Sequence, residues 1–207
     1  MKKVLIVDDD PIAKKLFSFY VQQSAEFELV ATLESAAMAE SFCVANEVDL
    51  ILMDICTAGR SSGLDAAAKI KKSMPRIKII IVTSQPEVDF IARAENDGID
   101  SFWYKNTEET ELLDVLHRTA SGESVYPKTK PLVRIGNIND DELTGLELSI
   151  LRELTSGDPT KMIAARLHLS ERTVDNNISR MLDKTGFSTR TKLACAAVDS
   201  GIVIRNI

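Results

Sequence analysis

The sequence predicts an α/β fold over residues 1–121, a doubly wound, five-stranded parallel sheet of the flavodoxin-like kind, followed by an all-α domain with a helix-turn-helix. In the first part, short runs rich in branched apolar residues alternate with stretches of helical spacing, which is typical of βαβ units. Beyond residue 140 helical patterns follow one another. A length of 207 residues is enough for two small domains.

The predicted strands and helices of the first part alternate in strict order. The strands are short apolar runs at residues 3–7, 28–33, 50–53, 77–82 and 99–104. The helices have apolar residues three and four positions apart, at residues 12–23, 36–46, 64–73, 88–97 and 108–120. Asp10, placed before Pro11, is predicted to cap the first helix.

A change of composition separates the two parts. Residues 122–139 contain two glycines and two prolines mixed with lysine and asparagine, which predicts a linker or extended connection. We therefore divide the chain into a domain over 1–121, a linker over 122–139 and a second domain over 140–207.

The second domain has clear signals for the start of each helix. Thr144 and Glu147 have the spacing of a capping box, and this first helix is predicted to end near Gly157. Asp158 is predicted to cap a second helix that has Pro159 at its first position. Serines are predicted to cap the remaining two helices, which end near glycines: Ser170 to Gly186, and Ser188 towards Gly201.

The bulk composition excludes several classes of protein. No apolar stretch approaches the roughly 20 residues of a membrane span, and the N-terminus lacks a signal-peptide pattern. Cys43, Cys56 and Cys195 are scattered and odd in number, which favours reduced thiols and a cytoplasmic location. The net charge is −6, and residues 140–207 contain ten acidic and nine basic residues, so charge alone does not indicate nucleic acid.

Aspartates follow two of the predicted strands. Asp8 and Asp9 end the first strand and Asp54 ends the third, and the carboxyl ends of parallel strands form the ligand-binding edge of such a sheet. Crowded carboxylates raise one another's pKa unless a cation lies among them, and Mg²⁺ prefers such oxygen ligands. We therefore predict a Mg²⁺ site of Asp8, Asp9, Asp54 and the backbone carbonyl of Cys56, with Asp54 as a nucleophile that accepts a phosphoryl group.

Other polar residues end the later strands of the sheet. Lys105 is predicted to counter the phosphoryl charge, and Thr83 to donate its hydroxyl to a phosphoryl oxygen. Phe102 is predicted to swing inward when Thr83 moves. Each residue has a simpler interpretation: a strand-end turn for Thr83, a solvated lysine for Lys105, and a core aromatic for Phe102. Their coincidence with the aspartates at strand ends favours the functional interpretation.

Residues 1–121 resemble the receiver domain of two-component response regulators. The matching motifs are Val7-Asp8-Asp9, Leu52-Met53-Asp54, Val82-Thr83-Ser84 and Trp103-Tyr104-Lys105. The resemblance implies that Asp54 takes phosphate from a sensor histidine kinase with Mg²⁺ as cofactor. It also implies that the surface of the fourth helix, fifth strand and fifth helix pairs with partners. One departure is Thr57-Ala58, where the family usually has Met-Pro.

The third helix of the second domain has the pattern of a recognition helix. Val174, Ile178, Met181 and Leu182 form an apolar stripe, and polar residues occupy the opposite face. The short junction with the preceding helix indicates a helix-turn-helix, whose second helix enters the major groove. The predicted base readers and their neighbours are Thr173, Asn176, Asn177, Ser179 and Arg180; the predicted phosphate contacts are Lys161, Arg172, Lys184, Arg190 and Lys192.

A polar face opposite an apolar stripe is also what any surface helix shows. Residues 143–200, however, resemble the LuxR-type helix-turn-helix of the NarL/FixJ response regulators, through motifs such as Leu143-Thr144, Leu169-Ser170 and Thr173-Val174. Together the two resemblances imply a phosphorylation-gated transcription regulator, not an enzyme, that binds double-stranded promoter DNA and forms a homodimer on phosphorylation. In the recognition helix, Asp175 stands where the family often has lysine.

Two other functions remain open at this stage. A Mg²⁺-dependent phosphohydrolase could use Asp54 as its nucleophile, but such enzymes commonly have a second carboxylate two residues later for acid–base catalysis. Cys56 occupies that position. An interaction protein that has a receiver switch and weakened or lost DNA binding is the other alternative, suggested by Asp175.

Overall fold

The computed structural model describes residues 1–84, 88–105, 109–128 and 131–203, without the side chains of residues 60, 88, 89 and 109–111. The described residues up to 128 form one compact unit and those from 131 onwards form a second.

The first unit is built on the predicted five-stranded parallel sheet. In chain order its strands are β1 (Lys2–Val7), β2 (Phe27–Leu33), β3 (Leu50–Asp54), β4 (Cys56–Thr57), β5 (Ser61–Ser62), β6 (Lys78–Thr83) and β7 (Ser101–Tyr104). The sheet has the order β2-β1-β3-β6-β7, and every neighbouring pair in it is parallel. The short strands β4 and β5 form a separate antiparallel pair beside it.

Helices follow the strands of the large sheet, as predicted. They are α1 (Pro11–Gln23), α2 (Ala39–Ala45), α3 (Gly63–Ser73), α4 (Val88–Asn96) and α5 (Glu109–Ser121). The helix predicted from residue 36 begins instead as a 3₁₀ turn, Ala36–Met38. Residue 108, the predicted start of the last helix, lies outside the described residues. The Asp10 side chain accepts a hydrogen bond from the backbone N–H of Ile12, which confirms the predicted cap of α1.

The sheet is buried on both faces, which explains why its strands are continuous apolar runs. Successive residues of β3 point to opposite faces. Ile51 and Met53 join one core with α2, α3 and residues of α4, while Leu52 joins the other with α1 and α5. This arrangement, with helices covering both faces of a parallel sheet, is the doubly wound fold that the sequence predicts.

Most of the predicted linker belongs to one unit or the other. Val125 forms a parallel bridge with Ser101 of β7, so the residues just after α5 extend the first unit. In the second unit, β8 (Arg134–Ile135) and β9 (Ile138–Asn139) form a small hairpin. The hairpin is anchored by Ile135, which is buried in the core of the second unit.

Among its described residues, the second unit continues with a 3₁₀ turn, Asp140–Glu142, and four α-helices: α6 (Gly145–Leu154), α7 (Thr160–Arg166), α8 (Glu171–Thr185) and α9 (Arg190–Asp199). Their apolar faces meet in one core, which includes Ile150, Ile163, Val174 and Leu193. Among the helices that the structure describes, none has the length and apolar character needed to span a membrane.

The helix starts of the second unit were predicted with mixed success. The capping box of Thr144 and Glu147 is confirmed, as are the Ser170 cap of α8 and its left-handed end at Gly186. The prediction of Asp158 as a cap was wrong, because its carboxylate pairs with Arg166 at 2.7 Å and helix α7 begins at Thr160. The prediction of Ser188 was also wrong, because the Thr189 side chain caps α9.

Candidate functional site

The acidic cluster of the first unit lies where the order of the sheet reverses. Strand β1 has β2 on one side and β3 on the other, and ligands bind doubly wound sheets at such a switch point, beyond the carboxyl ends of the strands. Asp8 directly follows β1, and Asp54 is the last residue of β3. Carboxylate oxygens of Asp8, Asp9 and Asp54 lie within 4.8 Å of one another, so the predicted convergence of these residues is real.

Lys105 brings a positive charge to this cluster. It follows β7, and its backbone N–H donates a hydrogen bond of 2.8 Å to the carbonyl of Thr83, which holds it beside the end of β6. Its ammonium nitrogen lies 2.7 Å from an Asp8 oxygen and 3.4 Å from an Asp54 oxygen. The ammonium also lies 5.9 Å from the ring centroid of Phe17 in α1, within the range of a cation–π contact.

The environment of Asp54 makes its charged form costly. Burial is the largest cause that raises its pKa to about 7; Lys105 opposes this shift and the charge of Asp8 adds to it. The backbone N–H of Ile55 donates a hydrogen bond of 2.9 Å to the carboxylate, which also favours ionisation. Asp54 is therefore poised between its two protonation states near neutral pH.

The donor set fits a hard divalent cation. Asp8 is fully buried while Asp9 is exposed, so the cluster combines an enclosed ligand with one that meets solvent. Carboxylates and water molecules are the ligands that Mg²⁺ prefers. Besides burial, the charge of Asp8 raises the pKa of Asp54, and a bound cation would offset both effects. The contribution of the Cys56 carbonyl stays a prediction.

Thr83 and Phe102 both lie in the buried interior of the first unit. Thr83 ends β6 directly after Val82, which pairs with Asp54, and it pairs in register with Tyr104. Phe102 lies on the same face of β7 as Tyr104, and their ring centroids are 5.1 Å apart. The structure thus places Thr83 at the same end of the sheet as Asp54, and Phe102 in the core; their roles as sensor and switch stay predictions.

One residue beside the site was not predicted: Gly63, the first residue of α3. A Cβ atom at this position would lie 1.8 Å from the carbonyl oxygen of Asp54 and 2.8 Å from its carbonyl carbon. The Gly63 N–H also donates to the carbonyl of Ile55. A glycine at the start of a helix that follows the aspartate strand was the available signal, because glycine marks close approaches of backbone.

The exposed face of α8 contains most of the predicted base readers. Asn176, Ser179 and Arg180 are exposed. Thr173 is half-buried, and its hydroxyl lies 2.8 Å from that of the capping Ser170. The prediction for Asn177 was wrong, because its side chain is buried and donates a hydrogen bond of 2.7 Å to the Thr173 carbonyl.

Some of the predicted phosphate contacts are used within the unit instead. The ammonium of Lys184 lies 2.9 Å from the buried carboxylate of Glu147 and donates to the carbonyl of Glu142, and its role as a phosphate contact stays a prediction. Arg190 donates to the Asp158 carbonyl and the Thr160 hydroxyl. The other predicted contacts, Lys161, Arg172 and Lys192, are exposed.

The fold and the site define a class of protein: an aspartate-centred receiver joined to a helix-turn-helix unit. Comparison with known families gives the same result. Residues 4–117 match the response regulator receiver domain, and residues 141–197 match the luxR family of bacterial regulatory proteins. The chain belongs to the response regulators with a LuxR-type DNA-binding domain, and it is a phosphorylation-gated transcription regulator.

Similar proteins match over almost the whole chain. The response regulator protein VraR of Staphylococcus aureus is 31% identical over 209 residues, which cover 97% of this chain and 98% of that protein. The structure of RcsB from Salmonella enterica serovar Typhimurium bound to promoter P1flhDC has a TM-score of 0.64 at 18% identity, covering 97% of this chain and 98% of that one. A structure of two RcsB dimers bound to two parallel DNAs also has a TM-score of 0.64, at 19% identity, covering 94% and 96%.

Proposed function

We propose that Asp54 accepts a phosphoryl group from a sensor histidine kinase in the cytoplasm. We also propose that this modification leads the protein to dimerise and bind promoter DNA through α8. The observation that carries the proposal is the convergence of three carboxylates within 4.8 Å of one another, with Lys105 3.4 Å from Asp54. This arrangement supplies both a nucleophile and a counter-charge at one sheet edge.

The transfer itself needs little covalent chemistry from the protein. An Asp54 oxygen forms a bond to phosphorus while the bond from phosphorus to the donor's imidazole nitrogen breaks, and the electron pair stays on that nitrogen. Lys105 stabilises the negative charge of the phosphoryl oxygens as a point cation. The Ile55 N–H donates to one carboxylate oxygen, which leaves the other oxygen to attack.

The residues that would hold Mg²⁺ are Asp8, Asp9 and Asp54, with the Cys56 carbonyl as a further ligand. When bound, the cation would supply positive charge to the phosphoryl oxygens and favour the ionised, nucleophilic form of the carboxylate. Asp8 is fixed for this purpose, because it accepts a hydrogen bond of 3.0 Å from the Asp10 N–H and its own N–H donates to Leu33.

The signal would pass from Asp54 to the surface through Thr83 and Phe102. A phosphoryl oxygen would accept a hydrogen bond from the Thr83 hydroxyl, and the resulting shift would change the packing of Phe102 against Tyr104. These residues belong to adjacent strands, β6 and β7. The surface of α4, β7 and α5 would then change its affinity for a second copy of the chain.

The DNA-binding part of the proposal rests on α8. Asn176, Ser179 and Arg180 would meet base edges in the major groove, while Arg172, Lys161 and Lys192 would contact phosphates. The near balance of acidic and basic residues in this part of the chain argues for weak binding by one copy. Two copies that read two half-sites would compensate for it.

Labelling with acetyl phosphate and Mg²⁺ tests the phosphoacceptor. We expect the wild-type chain to gain one phosphoryl group in intact-mass spectra, and Asp54→Asn to gain none. Asp10→Asn is the matched control, because asparagine also caps helices and Asp10 lies outside the carboxylate cluster. Chelation of divalent cations should abolish labelling of the wild type. Persistent labelling of Asp54→Asn would refute the site.

A further inference from the structure

A carboxylate stands on the exposed, polar face of the recognition helix. Asp175 lies in the second turn of α8, next to the exposed Asn176 and one turn before Ser179. This is the part of a recognition helix that meets base edges. A negative charge at this position repels DNA phosphates. Electrostatic attraction to DNA therefore does not explain why the residue is an aspartate.

The structure shows how this carboxylate is held. The hydroxyl of Thr160, the first residue of α7, donates a hydrogen bond of 3.0 Å to Asp175 Oδ1. The same hydroxyl oxygen accepts a hydrogen bond of 3.3 Å from one terminal nitrogen of Arg190. The other terminal nitrogen of Arg190 donates a hydrogen bond of 2.7 Å to the Asp158 carbonyl. Residues from α7, α8 and α9 are thus joined in one hydrogen-bond network.

The donor and the acceptor in each hydrogen bond of this network are fixed by the chemistry of the groups. A hydroxyl has one proton to donate, and because Thr160 accepts from Arg190, that proton is directed at Asp175. One carboxylate oxygen of Asp175 is therefore fixed. The other, Oδ2, has no hydrogen-bond partner among the residues that the structure describes, and it remains an acceptor on an exposed side chain whose orientation is restrained.

We propose that Asp175 reads sequence: its Oδ2 accepts a hydrogen bond from the amino group of cytosine in the major groove, and Thr160 is the residue that positions it. The inference rests on the proposed DNA binding through α8. Among the groups on base edges, a carboxylate pairs with the N4 amino group of cytosine. The charge that weakens binding to every phosphate thus gives discrimination at one base pair.

Selection from a pool of duplexes with a randomised central segment tests the proposal. The full-length chain is used with Mg²⁺ and beryllofluoride, and the selected bases are compared between variants. We expect the wild type to prefer cytosine at one position of each half-site by about tenfold. Asp175→Ala should lose that preference. Asp175→Asn should change it to adenine, because asparagine pairs with the N6 and N7 atoms of adenine.

Further variants distinguish base reading from a general effect of charge, and test the positioning role of Thr160. Asp183→Ala removes the same charge from the same helix two turns later, where the residue is also exposed, and should leave the base preference unchanged. Thr160→Val should weaken the cytosine preference. Thr160→Ser retains the hydroxyl and should therefore keep the wild-type preference. Thermal unfolding of each variant shows whether the second unit stays folded.

The outcomes are distinct. If both Asp175 variants bind all duplexes more tightly with unchanged base preferences, Asp175 is only an electrostatic brake and the proposal is overturned. If the wild-type chain enriches no sequence at all, the proposed DNA binding fails, and this inference fails with it. If the wild type selects a sequence but Thr160→Val retains the full cytosine preference, the positioning role is overturned.

Discussion

Burial controls the chemistry of Asp54. Ionisation of this carboxyl is unfavourable in the buried site, because desolvation is the main cause that raises its pKa to about 7. A protonated carboxyl is a poor nucleophile, so phosphotransfer near neutral pH depends on positive charge from Lys105 and from the cation that the cluster would hold. At the residue scale, the aspartate is both the reactive group and the part of the site most sensitive to its surroundings.

The raised pKa of Asp54 has a consequence for stability. Between the ordinary aspartate value of 3.8 and about 7, the folded state retains a proton that the unfolded state has lost. Stability from this group is therefore fully present below pH 3.8 and is lost as the pH rises through 7. Asp54→Asn removes the ionisation, so in the absence of divalent cations it should be more stable than the wild type at pH 8 by about 1–3 kcal/mol.

Urea unfolding at several pH values measures this difference. The gap between Asp54→Asn and the wild type should widen from pH 4.5 to pH 8, and added Mg²⁺ should narrow it by stabilising the ionised wild-type carboxylate. A gap that is constant over the whole pH range would contradict the link between burial and the protonation of Asp54.

Residue types at strand ends were predictable, but their surroundings were not. Asp8, Asp54 and Lys105 each end an apolar run, and the order of a doubly wound sheet brings such ends together. Asn177 was predicted as a base reader, but it lies at the flank of the helical wheel, where a small rotation decides between core and solvent, and it is buried. Its bond to the Thr173 carbonyl satisfies the buried amide, and such satisfaction is not visible in a pattern of apolar residues.

At the scale of elements, the close contact between α3 and β3 positions the acceptor strand. Gly63 allows this contact, because any side chain there would meet the Asp54 backbone. The adjoining loop is further held by Thr57, whose hydroxyl donates to the Ser61 carbonyl and accepts from the Ala36 N–H. Hydrogen bonds thus order a loop that has Thr57-Ala58 in place of the Met-Pro of the family.

Gly63→Ala should displace the Asp54 carbonyl or the start of α3. We expect a loss of about 2–3 kcal/mol in the free energy of unfolding, as for overpacked cores, together with slower labelling by acetyl phosphate. Gly145→Ala is the matched control: Gly145 also begins a helix, but a Cβ there meets nothing within 4 Å, so we expect a small gain of about 0.4–1 kcal/mol. Equal effects of the two substitutions would contradict the close-contact argument.

Helix positions followed from the sequence better than helix starts. Local signals sufficed for Thr144 and Ser170, whose side chains bond within their own helix. They failed at Asp158, because its carboxylate is drawn to Arg166, and they gave no sign that Lys184 pairs with Glu147 across 37 residues. Tertiary partners compete with local caps, and a single sequence does not identify those partners.

At the scale of the whole molecule, the proposed binding to DNA depends on both units. The second unit has almost as many acidic as basic residues, and both Lys184 and Arg190 are used internally. One copy therefore has few cations left for phosphates, which supply much of the affinity for DNA. Phosphorylation of the first unit would make up this deficit by pairing two copies, so that the affinity of the whole chain depends on the state of Asp54.

The order of the two domains was predictable because each has its own motifs at fixed spacing. The extent of the connection was not, since the glycines and prolines of residues 122–139 occur both in linkers and in hairpins. Val125 and Ile135 are tied to different units by contacts that composition does not reveal.

The most direct test of the central claim is the affinity of the full-length chain for a selected DNA duplex, measured by fluorescence anisotropy with Mg²⁺, before and after acetyl phosphate. We predict that phosphorylation tightens binding by about tenfold or more in the wild type and leaves Asp54→Asn unchanged. Equal wild-type affinity in both states, or an equal gain in Asp54→Asn, would contradict the claim that Asp54 controls DNA binding.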